Sequence, residues 1–390
     1  MSPRFLRSDE TFMREALRLA RQAKGLPYPN PWVGCIIVRD GRIVGRGFHR
    51  GPGMNHAEVE ALTEAGDRSR NATLFVTLEP CCHYGRTPPC TGAIIEAGIR
   101  RVVFPFCDPN PLVAGGGARS LKRQGIKITS GVCVEEAAAL NEVYIKFRAT
   151  ALPFVTVKVA ASLDGKIATR SGQSQWITDE TARRCARRLR ARHQAILVGI
   201  NTVLADDPHL GPRIRSVQEP WRVVLDSSLR IPLGSRVLQS GPCIVACTRA
   251  ASSRKQEALK RCGAQVWRFP GTRVPIKAVL KKLARDAGIV SVMVEGGSEV
   301  LGSFFDSNLV DRIYWFMAPI VLGSERSKSA IAGQGVKSLT DACRLKGVSV
   351  RVVGGCWLIR GNVSQWAYGR SPLTDQSGRE VPFESQGAPS

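Results

Sequence analysis

The sequence lacks any run of about 18 apolar residues, the length that a helix needs to cross a membrane. Residues 1–21 also lack the apolar centre and the small-residue cleavage site of a secretory signal. Their apolar positions follow the spacing of an amphipathic helix instead. We therefore expect a cytoplasmic protein without a membrane partner.

Acidic residues are scarce: 32 Asp and Glu stand against 56 Lys and Arg, which leaves a formal net charge of +24. Such an excess of positive charge favours the binding of nucleic acid, but it equally favours the binding of phosphorylated small molecules. The basic residues are dispersed except at 183–192, and they are not interleaved with aromatic residues. No recognisable nucleic-acid-binding module is present. The sequence therefore favours small phosphorylated molecules over nucleic acid as partners.

Cysteine is not scarce, and its distribution is informative. Twelve cysteines in a short secreted chain would predict a disulfide framework, but here they are spread over 390 residues. Most of them, such as Cys35, Cys243 and Cys247, lie in apolar runs and are expected to be buried thiols. The group formed by Cys81, Cys82 and Cys90 is the one with the spacing of metal ligands.

The N-terminal part of the sequence alternates short apolar strands with amphipathic helices, which is typical of an α/β layered domain. The pattern predicts strands at 33–38, 42–49, 73–78, 101–106 and 127–132. It predicts helices at 9–24, 56–66, 90–97, 117–125 and 135–150. We therefore expect a first domain over residues 1–150.

Leu152-Pro153 interrupts this alternation, because a proline disfavours helix at the residue before it. A second α/β domain is expected over residues 151–368, with helices between several of its strands. Its strands are predicted at 154–162, 195–200, 222–226, 243–248, 265–269, 291–296, 312–323 and in a final stretch that ends near Gln365. Residues 369–390 are polar and rich in Ser, Gly and Pro, so we expect a disordered tail there.

A group of potential metal ligands lies at three predicted helix and strand ends. His56-Ala57-Glu58 opens a helix, Cys81 follows a strand, and Cys90 opens the next helix. Three protein ligands on Zn²⁺ leave a fourth position for water, which is typical of catalytic zinc. Thiolates are favoured at helix N-termini, and a glutamate beside the ligands can move protons between water and a leaving amine. The pattern predicts a zinc-dependent deaminase, with His56, Cys81 and Cys90 as metal ligands and Glu58 as the catalytic acid and base.

Simpler interpretations apply to these residues one at a time. A histidine alone is more often a partly buried side chain with satisfied hydrogen bonds, and two cysteines alone predict a structural zinc site. Cys82, adjacent to Cys81, competes with it as a ligand. The general zinc-deaminase signature joins His-x-Glu to Pro-Cys-x-x-Cys, whereas eight residues separate Cys81 from Cys90 here. The joint occurrence of His-x-Glu, Pro-Cys and Pro-Pro-Cys outweighs the separate interpretations.

The second predicted domain carries four motifs, each less specific than the zinc pattern. They are VKVAASLDGKIA at 157–168, SQWIT at 174–178, NTVLADDP at 201–208 and VEGGSEVLGSFF at 294–305. The last motif runs from a strand through a glycine turn into a helix, where free N–H groups can hold a phosphate. The Gly-x-Gly-x-x-Gly fingerprint is absent, and glycine pairs more often mark ordinary turns. Trp176 alone is more often a core residue than a cofactor platform.

Three segments, PNPWVGCIIV (29–38), HAEVEAL (56–62) and TLEPCCHYGRTPPC (77–90), resemble the RibD family of bifunctional riboflavin-biosynthesis deaminase/reductases. The order of the later motifs resembles the reductase half, so the resemblance covers residues 8–366. It implies an α/β protein, with an N-terminal cytidine-deaminase-like αβα domain and a C-terminal dihydrofolate-reductase-like αβα domain. Cys82 and Asn55 depart from the family pattern, which usually has serine and often has proline there. Neither departure affects the predicted ligand set of His56, Cys81 and Cys90.

For the deaminase half, the resemblance implies the substrate 2,5-diamino-6-ribosylamino-4(3H)-pyrimidinone 5′-phosphate. By position in the motifs, the residues that would contact it are Asn30, His49, His83 and Arg86. Structural roles are open for three of them. Asn30 lies between two prolines and could equally cap a turn. His49 could be a surface residue at the end of a strand. Arg86 suits a solvated loop, although a phosphate also favours an arginine.

For the reductase half, the resemblance implies NADPH as hydride donor and 5-amino-6-(5-phosphoribosylamino)uracil as substrate, whose ribosyl group becomes ribityl. The residues carried over for the nucleotide are Ala160, Trp176, Thr202, Asp206, Gly297, Ser298, Glu299, Val300, Leu301, Gly302 and Ser303. The residues carried over for the substrate are Lys158, Ser174, Arg190, Leu210, Arg213 and Glu295, with the two arginines near its phosphate. The family usually has threonine near position 211, where this chain has Gly211-Pro212. No residue stands out as a proton donor.

These patterns together predict a two-step enzyme that deaminates a small phosphorylated pyrimidine and then reduces its sugar. The alternative is a nucleic-acid base deaminase with a basic accessory domain, which the charge favours and the long spacer and later motifs oppose. A structural zinc protein and a reductase with an inactive deaminase are further alternatives. The complete ligand set and Glu58 disfavour both of them. We expect no nucleic-acid partner and a homo-oligomer, either a dimer or a tetramer.

Overall fold

A computed structural model describes residues 7–23, 27–85, 87–214, 218–239 and 241–363. The described chain forms two compact units that meet in sequence between Thr150 and Ala151. We call residues 7–150 the first unit and residues 151–363 the second unit. The predicted tail at 369–390 lies outside the described residues. Among the described residues, none of the helices is both long enough and apolar enough to span a membrane.

The first unit is a five-stranded sheet flanked by helices. Its strands are β1 (Gly34–Arg39), β2 (Arg42–Phe48), β3 (Thr73–Val76), β4 (Arg101–Phe104) and β5 (Lys127–Ser130). Its helices are α1 (Arg7–Ala20), α2 (Ala57–Ala65), α3 (Cys90–Glu96), α4 (Gly116–Arg123), α5 (Val134–Leu140) and α6 (Glu142–Thr150), with a 3₁₀ turn at Gly66–Ser69. The strand order is β2-β1-β3-β4-β5; β1 is antiparallel to both of its neighbours, and the pairs β3–β4 and β4–β5 are parallel.

Both faces of this sheet are covered, as the run of apolar residues in β1 requires. Successive side chains of a strand point to opposite faces. Cys35 and Ile37 pack in the core cluster that contains α2 and α3, whereas Ile36 and Val38 pack in the cluster that contains α1. The first unit is therefore a three-layer αβα structure, as predicted.

Helix α2 lies directly on β2, and two glycines allow this close approach. A Cβ atom on Gly45 would stand 2.2 Å from the carbonyl oxygen of Ala61, and one on Gly47 would stand 2.2 Å from that of Ala57. No side chain fits at these distances. The contact fixes the start of α2, where His56 is the N-cap residue, relative to the sheet.

The predicted single helix at 135–150 is wrong, because the chain forms two helices that meet at Asn141. The buried Asn141 side chain accepts a hydrogen bond from the Trp32 N–H at 2.8 Å and donates one to the Trp32 carbonyl at 2.9 Å. Asparagine often leaves the helical conformation to bond with neighbouring backbone in this way. The break therefore anchors the segment around Trp32, which includes Asn30, to the α5–α6 junction.

The second unit is built on a nine-stranded sheet. Its strands are β6 (Phe154–Ser162), β7 (Ala195–Gly199), β8 (Trp221–Leu225), β9 (Cys243–Thr248), β10 (Gln265–Phe269), β11 (Ser291–Val294), β12 (Arg312–Ala318), β13 (Leu345–Val353) and β14 (Cys356–Val363). Its helices are α7 (Glu180–Arg190), α8 (Ile200–Asp206), α9 (Arg236–Gln239), α10 (Ser253–Arg261), α11 (Ile276–Ala287) and α12 (Ser298–Asp306), with a 3₁₀ turn at Leu339–Asp341. The strand order is β10-β9-β8-β7-β11-β6-β12-β14-β13.

Strands β6 to β12 pair in parallel, and β14 and β13 add an antiparallel edge. Buried apolar clusters lie on both faces, which makes this unit a second αβα structure. The predicted strand at 312–323 is too long, because β12 ends at Ala318 before Pro319. The predicted final strand is instead a hairpin of β13 and β14 around Gly354-Gly355, and its predicted end near Gln365 lies outside the described residues.

Candidate active sites of the two units

The three predicted metal ligands come together at the edge of the first sheet. His56 precedes α2, Cys81 follows β3 and Cys90 is the first residue of α3. The Nδ1 atom of His56 lies 3.1 Å from Cys90 Sγ and 3.5 Å from Cys81 Sγ. The three donor atoms lie within 4.8 Å of one another, and no other such cluster of three occurs among the described residues.

The donor set fits zinc. One imidazole nitrogen and two thiolates suit Zn²⁺, and three protein ligands leave one tetrahedral position for water. Hydrogen bonds from Cys90 and His56 lower the pKa of the Cys81 thiol to about 4, which favours the thiolate that a metal requires. The Nε2 atom of His56 lies 3.3 Å from Thr87 Oγ1, so the second ring nitrogen has a partner that orients the imidazole.

Cys82 faces away from this cluster. A Cβ atom on Gly116, at the start of α4, would stand only 2.8 Å from Cys82 Sγ. The Cys82 thiol therefore packs against the start of α4, while the Sγ of Cys81 belongs to the cluster. This placement disfavours the alternative in which Cys82 replaces Cys81 as ligand.

Glu58 lies in the first turn of α2 and is 4% exposed. Burial and the negative charge of Cys81 raise the pKa of its carboxyl to about 7. A carboxyl group with a pKa near neutrality both accepts and donates protons readily. Glu58 and His56 line the same cavity, of about 330 Å³, so the carboxyl group adjoins the cluster.

Three of the four predicted substrate contacts line this first cavity: Asn30, His49 and His83. Asn30 Nδ2 donates to His49 Nε2 at 3.0 Å, and His49 Nδ1 donates to the Asn55 carbonyl at 3.2 Å. Burial lowers the pKa of His49, which favours the neutral ring. His83 Nδ1 is buried without a hydrogen-bond partner among the described residues. The fourth predicted contact, Arg86, lies outside the described residues.

The sequence patterns did not indicate several further polar residues that line the first cavity, among them Asp108, Asn110, Tyr144 and Arg148. Asp108 and Asn110 follow β4, whose carboxyl end lies at the same sheet edge as that of β3. The buried Glu79 holds this region, because its carboxylate accepts the backbone N–H groups of Asp108, Gly115 and Ala118, each at 2.9 Å. The Asp-Pro-Asn-Pro run at 108–111 after a predicted strand was the available signal.

In the second unit, three predicted substrate residues form one ionic cluster. Glu295 accepts two hydrogen bonds from Arg190, at 2.6 and 2.9 Å, and lies 3.5 Å from Lys158 Nζ. Although burial opposes its charge, Arg190 and Lys158 lower the pKa of Glu295 to about 2. Arg190 also donates to the Gly211 carbonyl at 3.1 Å, which ties the Gly211-Pro212 loop to the cluster.

The predicted glycine turn lines a second cavity, of about 380 Å³. Gly297, Ser298, Glu299, Val300 and Ser303 face this cavity. Leu301 and Gly302 do not line it: Leu301 lies in the apolar core, and a Cβ atom on Gly302 would stand 1.6 Å from the Ala332 carbonyl oxygen. The cavity adjoins the carboxyl ends of β7, β8 and β11, where ligands bind in parallel sheets.

The remaining residues predicted for the nucleotide are Asp206, Thr202, Trp176 and Ala160. The Ser174 hydroxyl, predicted for the substrate, donates to Asp206 at 2.8 Å. Thr202 Oγ1 would stand 3.3 Å from a Cβ on Gly297, so it adjoins the glycine turn. Trp176 is 68% exposed, with the Arg183 guanidinium 4.3 Å from its ring centroid, so it is not a core residue. Ala160 lies on β6, partly buried against the core.

Leu210 and Arg213 are the two other residues of this unit that were predicted to contact the substrate. Leu210 is 2% exposed and belongs to the apolar core, whereas Arg213 is exposed. Neither forms a hydrogen bond or an ion pair with the described residues of the cluster around Glu295, so their roles stay predictions. Further residues that the sequence patterns did not indicate line the second cavity, among them Asn201, Ser227, Ser228, Arg230, Arg273 and Lys328. Ser227 and Ser228 could have been expected there, because they follow the carboxyl end of β8.

Two family models match the chain, one in each unit. The cytidine and deoxycytidylate deaminase zinc-binding region matches residues 6–106, and the RibD C-terminal domain matches residues 153–359. The matches confirm the two predicted domain types, a zinc-dependent deaminase and an NADPH-dependent reductase. They disfavour the nucleic-acid alternative, because the second unit is a reductase domain and not a basic accessory domain.

Curated relatives and solved structures match nearly the whole chain. Riboflavin biosynthesis protein RibD of Aquifex aeolicus is 44% identical over 89% of this chain and 96% of its own length. The Escherichia coli protein of the same name is 39% identical over 89% of this chain and 97% of its own. The structure of Acinetobacter baumannii RibD is similar, with a TM-score of 0.82, 36% identity and coverage of 93% of this chain and 100% of that one. A deaminase/reductase structure from Thermotoga maritima has a TM-score of 0.76 at 34% identity, covering 91% and 99%. The chain therefore belongs to the RibD family of bifunctional deaminase/reductases of riboflavin biosynthesis.

Proposed function

We propose that the two units act on consecutive intermediates. The first would deaminate 2,5-diamino-6-ribosylamino-4(3H)-pyrimidinone 5′-phosphate, and the second would reduce the ribosyl group of 5-amino-6-(5-phosphoribosylamino)uracil. The Thermotoga maritima relative is described as a diaminohydroxyphosphoribosylaminopyrimidine deaminase and 5-amino-6-(5-phosphoribosylamino)uracil reductase. The observation that carries the proposal is the cluster of His56, Cys81 and Cys90, with Glu58 lining the cavity beside it.

For deamination, zinc held by these three ligands supplies Lewis-acid activation of water at neutral pH. The chain supplies proton transfer and positioning. The Glu58 carboxylate would take a proton from the attacking water and pass it to the ring nitrogen. It would then move the proton of the added hydroxyl group to the amine, which leaves as ammonia while the carbonyl forms. Asn30 and His49, held by their mutual hydrogen bond, would orient the pyrimidinone ring. His83, whose buried Nδ1 has no partner in the described ranges of the chain, would hydrogen-bond to the substrate.

For reduction, bound NADPH supplies the hydride, which would go to C1 of the opened ribose. The N–H groups at the start of α12, after Gly297, would hold the cofactor's phosphates. The cluster of Lys158, Arg190 and Glu295 would position the substrate, and Arg213 would add a charge near its phosphate. Since the hydride comes from the cofactor, the main contribution of these residues is orientation.

One incubation tests both halves of the proposal. The zinc-loaded protein is supplied with the diaminopyrimidinone substrate, with and without NADPH. Ammonia release without NADPH, followed by NADPH oxidation only after deamination, is the expected result. Absence of ammonia release would contradict the first half, and failure to oxidise NADPH with the deaminated compound would contradict the second.

We also propose a homo-oligomer. Strand β13 lies at the edge of the second sheet, and three of its alternate residues, Val348, Val350 and Val352, are 53%, 60% and 72% exposed. An apolar edge strand of this kind favours pairing with another chain. Sedimentation of the protein and of Val350→Lys tests this, and loss of the oligomer in the variant is expected. The cytoplasmic location stays a prediction, which fractionation of cells tests.

A further inference from the structure

We propose that Arg148 is a substrate-binding residue of the first cavity that recognises the 5′-phosphate of the deaminase substrate. The proposal rests on the proposed deaminase function. It assigns a specificity-determining role to a residue that lies outside every sequence motif discussed above. Arg148 occupies the last turn of α6, near the end of the first unit.

The first observation is a buried guanidinium nitrogen that is available to a ligand in the first cavity. Among the described residues that line the first cavity, Arg148 is the one with a permanent positive charge. Its Nε atom is buried and has no hydrogen-bond partner within the part of the chain that the structure describes. A buried donor on a charged group costs free energy unless a ligand or water satisfies it. A bound anion would remove that cost.

The second observation is that the guanidinium is held in place. Tyr144 and Arg148 are four residues apart on α6 and therefore lie on one helix face. The Arg148 guanidinium carbon lies 5.2 Å from the centroid of the Tyr144 ring, within range of a cation–π interaction. The Tyr144 hydroxyl donates to the Asp108 carboxylate at 2.8 and 3.1 Å, which fixes the ring. An arginine stacked in this way loses little conformational entropy when it binds a ligand.

The third observation concerns the neighbouring carboxylate. Asp108 already accepts hydrogen bonds from the Tyr144 hydroxyl and from the Asn110 N–H, the latter at 2.8 Å. Its acceptor capacity is therefore largely used on the protein. The proposed substrate brings a phosphate monoester, whose charge and oxygen geometry match a guanidinium closely. The phosphate, and not the pyrimidinone ring, is the group that this side chain fits.

The test compares Arg148→Met with Arg123→Met in zinc-loaded full-length protein. Arg123 is a matched control, because it also lies in the last turn of a helix of the first unit but is exposed. Deamination is measured on the phosphorylated substrate and on the same compound without its phosphate. For Arg148→Met we expect KM for the phosphorylated compound to rise about 10- to 100-fold, the loss of one charge-assisted contact. KM for the unphosphorylated compound should stay near that of the unsubstituted protein.

Three further measurements interpret the result. The zinc content of each variant reports whether the first unit is folded, because the metal ligands belong to that unit. Arg148→Lys should recover part of the lost affinity. Inorganic phosphate should inhibit the unsubstituted enzyme competitively and should inhibit Arg148→Met more weakly. Equal losses on both compounds, or no loss on either, would overturn the role of Arg148. Absence of deamination in the unsubstituted protein would contradict the proposed function instead.

Discussion

Replacing Glu295 by Gln should destabilise the second unit by about 3 kcal/mol at pH 7. The side chain of Glu295 is 5% exposed, and its pKa falls from 4.5 to about 2 because Arg190 and Lys158 outweigh the cost of burial. At about 1.4 kcal/mol per pKa unit, this lowering corresponds to roughly 3 kcal/mol of folding free energy carried by the charged carboxylate. A neutral amide keeps the shape of the side chain but leaves two partly buried cations, Lys158 and Arg190, without a counter-charge.

The sign of the pH dependence follows from the lowered pKa. A carboxylate whose pKa is lower in the folded state stabilises the fold fully above its unfolded value, near pH 4.5. This contribution is lost as the pH falls from about 4.5 towards 2. The difference in unfolding free energy between the unsubstituted protein and Glu295→Gln should therefore be constant above pH 5 and should shrink below it.

Urea unfolding followed by tryptophan fluorescence measures this difference. Of the seven tryptophans, only Trp32 precedes residue 151, so the signal reports mainly on the second unit. Glu257→Gln is the matched control, because Glu257 is 60% exposed and pairs with Lys260 at the surface. That change should alter the unfolding free energy by less than about 0.5 kcal/mol. A loss below about 1 kcal/mol for Glu295→Gln, or a difference that does not change with pH, would refute the reasoning.

Three other predictions concern the first unit. Glu58→Gln should lower the rate of deamination about 10²- to 10⁴-fold while zinc content and reductase activity are retained; loss of bound zinc, measured by metal analysis, would contradict the assigned role. Cys82→Ser should leave zinc content and deamination unchanged, whereas Cys81→Ser should lower both, and equal effects of the two changes would refute the ligand assignment. Asn141→Ala should lower the free energy of unfolding by about 1–3 kcal/mol, because the backbone groups of Trp32 lose two hydrogen bonds. The same change should raise KM for deamination, and an unchanged KM would show that this anchor does not position the substrate loop.

Much of the fold could be predicted because its determinants are local. Strand β1 is apolar on both faces, so the sequence itself indicates a sheet covered on both sides. The prediction that was wrong also has a physical explanation. The helix predicted at 135–150 breaks because Asn141 bonds to Trp32, which is 109 residues away along the chain. No periodicity within that segment contains this information.

The zinc cluster was determined by the sequence itself, since His-x-Glu and the two Pro-Cys steps restrict both residue type and position at helix starts. Tertiary structure supplied the physical reason that Cys82 does not replace Cys81, which the Pro80-Cys81 motif already favoured, because the Cys82 thiol packs against the start of α4. Tertiary structure alone brought Arg148 into the first cavity, since α6 reaches that cavity through folding and not through proximity in sequence. A site whose residues belong to recurring motifs, as His-x-Glu and Pro-Cys do, can be predicted from the sequence. Chemistry that depends on several distant segments exists only once the chain has packed.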